Sequence, residues 1–193
     1  MTAKSRLGCD TRPLLILDLD ETLIFGAAAE LDRPAEFRVG SYYVYERPHL
    51  AEFLAKAATF YNLAIWSSGS VEYVEAIAEK ICPRATCWQF VWGRERCTPH
   101  TYFNEYFVDY IKDLKKVKRL GYDLEHILVV DDTESKLCRN FGNAIYVAPF
   151  FGDSHDNELP PLVRYLESIR SAENYRLIEK RGWRADWQRN WQD

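Results

Sequence analysis

The chain has 193 residues, of which 47% are hydrophobic and 15% aromatic, and its formal net charge is -4. This composition excludes an intrinsically disordered chain and suits one domain with a sizeable core. No hydrophobic stretch approaches the roughly 20 residues of a membrane span, and the negative charge does not favour a nucleic-acid partner. We expect an intracellular protein, cytoplasmic or alternatively nuclear, because the five cysteines form no tight disulfide framework and no signal-peptide pattern opens the chain.

The first predicted element is a buried strand, Leu14 to Leu17, which runs into two acidic residues, Asp18 and Asp20. On an extended strand this spacing places both carboxylates on one face, at the end of a parallel strand where open α/β sheets bind ligands. Three interpretations are open: an ordinary acidic loop, the metal-binding Asp-x-Asp of nucleotide-sugar transferases, and the phosphatase signature Asp-x-Asp-x-Thr, which Thr22 completes. The third is favoured because its partner motifs follow downstream in order.

The next elements alternate between strand and helix. A hairpin is predicted from Val39 to Tyr45 and a helix from His49 to Phe60. A second apolar strand, Leu63 to Trp66, precedes a polar turn, and Ser70 is placed to cap the helix that continues to Ile81. This alternation indicates a parallel α/β sheet.

The second half of the chain continues the pattern after an irregular, aromatic segment from Cys82 to Asp109. A third apolar strand, His126 to Val130, ends in the acid pair Asp131 and Asp132. The other predicted elements are a short basic helix (113–120) stopped by a glycine, a last strand (144–147) and a C-terminal helix (161–169).

Three cysteines and a histidine in this part of the chain are close enough in sequence to be considered as ligands of a zinc site. They are Cys82, Cys87, Cys97 and His100. Structural zinc does use three cysteines and a histidine, but the first gap is at the wide end of the common range and bulky side chains fill the middle. Buried free thiols are the favoured interpretation, with zinc as the alternative.

The C-terminal tail carries Trp183, Trp187 and Trp191 at a spacing of four residues. On a helix these rings share one face, and three exposed indoles would form an adhesive patch. The favoured interpretation is that the tail packs back onto its own domain. The alternative is self-association, or docking on a partner, through these three residues.

Taken singly, Lys112 would be a solvated lysine, Ser67 a strand-end cap and the acid pair a turn; their joint order is specific. That order resembles the haloacid dehalogenase superfamily and, more narrowly, the small C-terminal-domain phosphatases, also called the NLI-interacting-factor-like family. Further matching phrases are ERPHLAEFL (46–54), YIKDL (110–114) and HDNEL (155–159). Two departures are Ser67 where these phosphatases usually have threonine, and Asp132 where they usually have asparagine.

The resemblance implies a fold and a division of the chain. We expect a Rossmann-like, three-layer α/β fold with a parallel sheet, a short β-hairpin cap and a small β insertion at about 82–109. The phosphatase domain would span 14–172, between an N-terminal extension (1–13) and the Trp-rich tail (173–193).

The resemblance also implies a mechanism. Asp18 would be the nucleophile that forms an aspartyl-phosphate, and Asp20 the general acid and then the base. Mg²⁺ would be the cofactor, held by Asp18, the Asp20 backbone carbonyl and the acid pair, with Asp132 as the direct ligand and Asp131 as its support.

Other residues would then serve the phosphoryl group and the substrate. Lys112 would pair with the phosphate and the nucleophile, and the Ser67 hydroxyl would bind a phosphoryl oxygen. The candidate substrate-binding residues are Thr22, Ser68, Gly69, Trp88 and Phe90. Among them, Thr22 is expected to order the Asp loop rather than touch substrate.

A short cap leaves an open cleft, so a phosphorylated protein or peptide is the favoured substrate. An aromatic wall for a proline-bearing peptide is expected from Trp88, Phe90, Trp92, Tyr102 and Phe103. A phosphatase of small molecules or of nucleic-acid ends is the alternative. A catalytically silent adaptor is disfavoured because Asp18 and Asp20 are both present.

Overall fold

A computed structural model describes residues 12–82, 87–101 and 108–185. The strands are β1 (Leu14–Leu17), β2 (Ile24–Ala27), β3 (Phe37–Val39), β4 (Tyr42–Glu46), β5 (Asn62–Trp66), β6 (Val91–Trp92), β7 (Thr98–Thr101), β8 (Val108–Ile111), β9 (Ile127–Asp131) and β10 (Ala144–Tyr146). The α-helices are α1 (Leu50–Phe60), α2 (Val71–Ile81), α3 (Lys115–Lys118) and α4 (Leu159–Ile169).

Five parallel strands form the central sheet, in the order β10-β9-β1-β5-β6. The first strand lies in the middle, with Leu17 paired to Ile65 of β5 and to Val130 of β9. Every residue of β1, β5 and β9 is buried, which is why these strands are apolar apart from Asn62, which begins β5, and Asp131, which ends β9. Because the three strands end level with one another, Asp18, Ser67 and Asp131 meet at one edge of the sheet. The predicted parallel α/β sheet is confirmed.

Helices cover both faces of this sheet, which gives the three predicted layers. Leu15 and Leu17 of β1 point into the larger core, where they join residues of α1, α2 and α4. Leu14 and Ile16 point the other way, into a second core that includes Val117 of α3.

The helix boundaries are close to those predicted. Ser70 caps α2 by accepting a hydrogen bond from the Tyr73 N–H at 3.4 Å. Helix α4 begins at Leu159, before the predicted start at Pro161, because proline is tolerated in the first turn. Helix α3 is shorter than predicted, since the Asp113 carboxylate accepts from the Lys115 N–H at 3.0 Å and ends the loop before it.

Two small antiparallel sheets sit beside the central one. The predicted hairpin is present as β3 and β4, and Gly40 takes the positive φ that its turn requires, at 58°. Strand β2, which was not predicted, pairs with β4 and completes a three-stranded cap directly after the Asp loop. In the insertion, β7 pairs with β8, whereas β6 joins the central sheet.

The described part of the tail packs on its own domain. Trp183 is fully buried in the larger core, beside Tyr165 at a ring distance of 5.9 Å. Its Nε1–H donates to the Tyr146 carbonyl of β10 at 2.9 Å. This agrees with the favoured interpretation for Trp183, while Trp187 and Trp191 lie outside the described residues. Within the ranges that the structure describes, no helix has the length and hydrophobicity needed to cross a membrane.

Candidate active site

Asp18 lies at the carboxyl end of β1 and is almost completely buried. Its N–H donates to the Val130 carbonyl at 3.0 Å, so the pairing of β1 with β9 continues to this residue. Two lysines face its carboxylate: Lys112 Nζ lies 2.8 Å from Oδ1, and Lys136 Nζ lies 3.2 Å from Oδ2. Burial alone would raise the pKa of Asp18, but the two ammonium groups outweigh it and hold that pKa below its usual value. The side chain is therefore ionised, as a carboxylate nucleophile must be.

Lys112 is fully buried between two carboxylates. Its Nζ donates to Asp131 Oδ2 at 2.6 Å, in addition to the ion pair with Asp18. Its backbone N–H donates to the Lys136 carbonyl at 2.8 Å, which fixes the residue immediately after β8. Burial alone would lower the pKa of Lys112, but Asp131 and Asp18 raise it above its usual value. The ammonium group is thus a permanent positive charge beside the Asp18 carboxylate.

The Asp20 carboxylate lies in a different environment from that of Asp18. Its Oδ1 accepts a hydrogen bond from the Tyr73 hydroxyl at 2.7 Å, and its Oδ2 accepts one from Ser67 Oγ at 3.5 Å. The pKa of Asp20 is raised to about 6, chiefly by burial. The hydrogen bond from Tyr73 lowers this pKa, and the negative charge of Asp18 raises it further. Neighbouring carboxylates whose pKa values are pushed apart are typical of a nucleophile and a proton donor.

The turn after β5 is held by the Ser67 side chain and by Arg94. The Gly69 N–H donates to Ser67 Oγ at 3.0 Å, and the Ser68 carbonyl accepts from Arg94 Nε at 2.7 Å. Gly69 is also closely surrounded, since a Cβ there would lie 3.1 Å from the Tyr73 ring. The predicted phosphoryl-binding residues Ser67, Ser68 and Gly69 therefore form a fixed turn at the same edge as Asp18.

Thr22 and Asp132 are linked on the other side of Asp18. Thr22 is buried, and its Oγ1 donates to Asp132 Oδ1 at 3.4 Å. The Thr22 carbonyl accepts from Arg47 Nη1 at 3.0 Å, and Asp132 Oδ2 accepts from the Thr133 hydroxyl at 2.8 Å. These contacts order the Asp loop, which is the role expected for Thr22.

Three carboxylates form the candidate metal centre. Oxygens of Asp18, Asp131 and Asp132 lie within 4.8 Å of one another, and no other such group of three occurs in residues 12–82, 87–101 and 108–185. Asp18 Oδ1 is buried and, within these ranges, accepts no well-directed hydrogen bond. A donor set made only of oxygens suits Mg²⁺, so the residues fit this ion. The Asp20 carboxylate lies outside the group, and its backbone carbonyl was the predicted contribution.

Two residues of the site were missed from the sequence. Lys136 contacts Asp18 and lies 3.7 Å from Asp132 Oδ1; the only signal was the four-residue spacing between Asp132 and Lys136. Burial alone would lower the pKa of Lys136, but Asp18, Asp131 and Asp132 raise it above its usual value. The contact of Tyr73 with Asp20 carried no sequence signal, because the two residues lie 53 positions apart.

Among the described residues of the predicted aromatic wall, Trp88 lies apart from Phe90 and Trp92. Trp88 packs against the larger core and donates its Nε1–H to the Ala78 carbonyl at 3.0 Å. Phe90 packs on the opposite face of the sheet, stacked on Trp92 with ring centroids 4.2 Å apart. A bend at Gln89 breaks the alternation that would have placed these rings on one face. Tyr102 and Phe103 lie outside the described residues.

The cysteines of the possible zinc site do not form one in the described part of the chain. Cys82, Cys87, Cys97 and His100 are all described, yet they are not among the residues brought into metal-binding proximity. Cys97 is buried and donates to the Ser67 carbonyl across 3.9 Å, which places its thiol in the second core.

Comparison with known proteins gives a family match and several relatives. Residues 13–176 match the family described as NLI interacting factor-like phosphatase. Phosphatase Herzog of Drosophila melanogaster is 29% identical over 170 residues, which cover 84% of this chain and 46% of the relative. CTD small phosphatase-like protein 3 of Caenorhabditis elegans is 30% identical over 162 residues, which cover 80% of this chain and 53% of the relative. The chain spans about half the length of these curated relatives.

A solved structure shares the fold. It is a variant of the fission yeast RNA polymerase II CTD phosphatase Fcp1 bound to beryllium fluoride. The TM-score is 0.54 at 23% sequence identity, and the match covers 85% of this chain and 53% of that chain. At this identity the likeness concerns the fold alone.

Proposed function

This chain belongs to the NLI interacting factor-like phosphatase family, and we propose on that premise that it is a Mg²⁺-dependent phosphatase acting through an aspartyl-phosphate on Asp18. The observation that carries the proposal is the buried chain of charges Asp18–Lys112–Asp131 at the carboxyl edge of the sheet. Burying charges costs free energy, so a buried group of this kind indicates a functional role. The order of these residues in the sequence also matches the family motifs.

The first step is transfer of the phosphoryl group to the protein. An oxygen of the Asp18 carboxylate attacks phosphorus in line, and the bond from phosphorus to the leaving oxygen breaks. Asp20 donates its proton to that oxygen, which leaves as an alcohol. The hydrogen bond from Tyr73 would hold the Asp20 carboxyl in one orientation for this proton transfer.

The second step regenerates the enzyme. Asp20, now ionised, takes a proton from a water molecule that attacks the same phosphorus. The bond between phosphorus and the Asp18 oxygen breaks, and inorganic phosphate leaves. The same carboxyl group therefore acts as acid in one step and as base in the next.

The phosphoryl oxygens carry negative charge in both steps. Lys112 is placed to stabilise that charge, and the Ser67 hydroxyl, whose contact with Asp20 Oδ2 is long at 3.5 Å, can turn to donate its hydrogen bond to a phosphoryl oxygen instead. Asp18 and Asp132, supported by Asp131, would hold Mg²⁺, which when bound supplies positive charge against the phosphoryl oxygens.

The substrate in this proposal is a phosphoserine or phosphothreonine in a protein segment. The cap is only a three-stranded sheet, and in this proposal a cap of that size admits a protein segment to the edge of the central sheet. The relatives named CTD small phosphatases are consistent with such a substrate. An intracellular location belongs to the same proposal, since the cysteine pattern indicates no disulfide framework.

Phosphatase assays with the purified chain test this proposal. Hydrolysis of 4-nitrophenyl phosphate is expected with Mg²⁺, and none is expected after chelation or in Asp18→Asn. Activity of Asp18→Asn close to that of the wild type would overturn the mechanism. Phosphopeptide and metabolite panels then separate the substrate classes, and faster turnover of metabolites or nucleic-acid ends would overturn the phosphoprotein assignment. Phosphopeptide binding without any turnover would indicate an adaptor.

A further inference from the structure

A second lysine occupies the middle of the carboxylate group. Lys136 lies in the 3-10 turn Glu134–Leu137, just after β9. Its Nζ lies 3.2 Å from Asp18 Oδ2, 3.8 Å from Asp131 Oδ1 and 3.7 Å from Asp132 Oδ1. These are the same three side chains that form the candidate metal centre. One ammonium group therefore faces every carboxylate of that centre.

The balance of charge explains why a cation is stable at this point. The three largely buried carboxylates carry three negative charges, and Lys112, which pairs with Asp18 and Asp131, compensates one of them, so two remain without compensation. Carboxylates this close repel one another strongly away from bulk water. Lys136 compensates one of the two charges, whereas a divalent cation would compensate both. The lysine and the metal would together leave the group positive until a phosphate arrived.

The Lys136 side chain can leave this position without movement of the backbone. Its carbonyl is fixed by the hydrogen bond from the Lys112 N–H. Its side chain is 17% exposed, whereas that of Lys112 is fully buried. Its hydrogen bond to Asp18, at 3.2 Å, is also longer than the bond of 2.6 Å from Lys112 to Asp131. A four-carbon stem with an outlet to solvent lets the ammonium group swing away.

We propose that Lys136 competes with Mg²⁺ for the carboxylates of Asp18, Asp131 and Asp132. In the metal-free protein its ammonium group stabilises the carboxylates, and it withdraws toward solvent when the metal enters. Lys136 thereby weakens Mg²⁺ binding and protects the fold of the metal-free protein. This inference rests on the proposed function, because that proposal assigns Asp18 and Asp132 to the metal.

Mg²⁺ binding without substrate is the direct test. Calorimetric titration of Lys136→Met with MgCl₂ should give a dissociation constant about tenfold lower than that of the wild type, because a charged hydrogen bond no longer has to be broken. Melting in EDTA should occur at a lower temperature for Lys136→Met, and saturating Mg²⁺ should narrow the difference. Lys118→Met removes an exposed lysine of α3 and serves as the matched control, with neither property changed.

A double variant keeps the test decisive if Lys136→Met does not fold without metal. Asp132→Asn with Lys136→Met removes one charge of each sign, so melting in EDTA should return toward that of the wild type. Unchanged or weaker Mg²⁺ binding by Lys136→Met would overturn the inference. If that result came with a higher KM for aryl phosphate, Lys136 would instead be a phosphate-binding residue. A wild type that neither binds Mg²⁺ nor hydrolyses aryl phosphate would overturn the proposed function itself.

Discussion

Arg47 and Asp156 form a two-pronged ion pair, although 109 residues separate them in the chain. Arg47 Nε lies 2.8 Å from Asp156 Oδ1 and Nη2 lies 2.7 Å from Oδ2, and the arginine side chain is fully buried. The remaining nitrogen, Nη1, donates to the Thr22 carbonyl in the Asp loop. The pair therefore ties the segment before α4 to the loop that carries Asp18, the proposed nucleophile.

Breaking this pair should destabilise the protein strongly. Asp156→Asn leaves the buried Arg47 charge without its counter-ion, and we expect a loss of about 3 kcal/mol of unfolding free energy. Urea denaturation followed by circular dichroism measures it. Glu125→Gln breaks an exposed pair with Arg176, at 3.9 Å, and should change the stability by less than about 0.5 kcal/mol. Equal losses in the two variants would contradict this account.

The same pair predicts a dependence of stability on pH. Burial alone would raise the pKa of Asp156, but hydrogen bonds from Arg47 and from the Glu158 N–H hold it below its usual value. The stabilisation is thus complete above the unfolded-state pKa of about 3.9, and is lost as the pH falls through the lower folded value. The difference in unfolding free energy between the wild type and Asp156→Asn should be constant from about pH 7 to pH 5 and shrink below about pH 4. A difference that grew in acid would have the wrong sign.

The sequence predicted the central strands and the residues at their ends, because continuous apolar runs leave few alternatives for β1, β5 and β9. The motif order then placed Asp18, Lys112 and Asp131 in one site. Phrases around Arg47 and Asp156 were recognised, but their contact was not, since the pairing of distant loops has no local signal. Strand β2 was missed because it is short and follows the Asp loop without a break.

The remaining differences also come from tertiary packing. Trp88 and Phe90 were expected on one face, and a single bend separates them onto two faces. Lys136 was not singled out, because nothing in its own segment shows that β9 directs that segment toward Asp18. Predicting contacts between residues that are distant in the chain requires the register of the sheet strands, which a single sequence does not supply.

Tyr73 should act on Asp20 rather than on phosphate. Removing its hydroxyl in Tyr73→Phe leaves Asp20 Oδ1 without the bond at 2.7 Å, so Asp20, the proposed general acid, is poorly oriented. We expect a loss of about tenfold in kcat/KM for an alkyl phosphate, whose leaving group needs the proton. An aryl phosphate with an activated leaving group should lose much less. Tyr42→Phe is the matched control, because the Tyr42 ring packs against the Tyr73 ring, at 5.5 Å between centroids. An equal loss on both substrates would count against an orienting role.

Substitutions of Asp131 and Asp132 should have different effects on turnover and on Mg²⁺ binding, although the two residues are neighbours. Asp131 is engaged by Lys112 through Oδ2 and by the Thr133 N–H through Oδ1, so Asp131→Asn should lower kcat by releasing Lys112. The expected loss is about 100-fold, in the range for removal of an electrostatic stabiliser, with a smaller loss of Mg²⁺ affinity than in Asp132→Asn. Asp132→Asn should chiefly weaken Mg²⁺ in a calorimetric titration. The reverse pattern in the two variants would exchange their assigned roles.

The tail separates into a packed part and a part beyond the described residues, and two truncations distinguish them. A chain ending at Gly182 loses Trp183, its place in the larger core and its hydrogen bond to Tyr146 of β10. We expect this chain to lose about 3–5 kcal/mol of stability, as for other buried tryptophans. A chain ending at Ala185 keeps Trp183 and should melt at the temperature of the full chain. Sedimentation of both truncated chains and of the full chain tests whether Trp187 and Trp191 take part in self-association. A dimer that is lost on removing 186–193, with the melting temperature unchanged, would support docking through those two residues. Normal stability of the chain that ends at Gly182 would contradict the structural role given to Trp183.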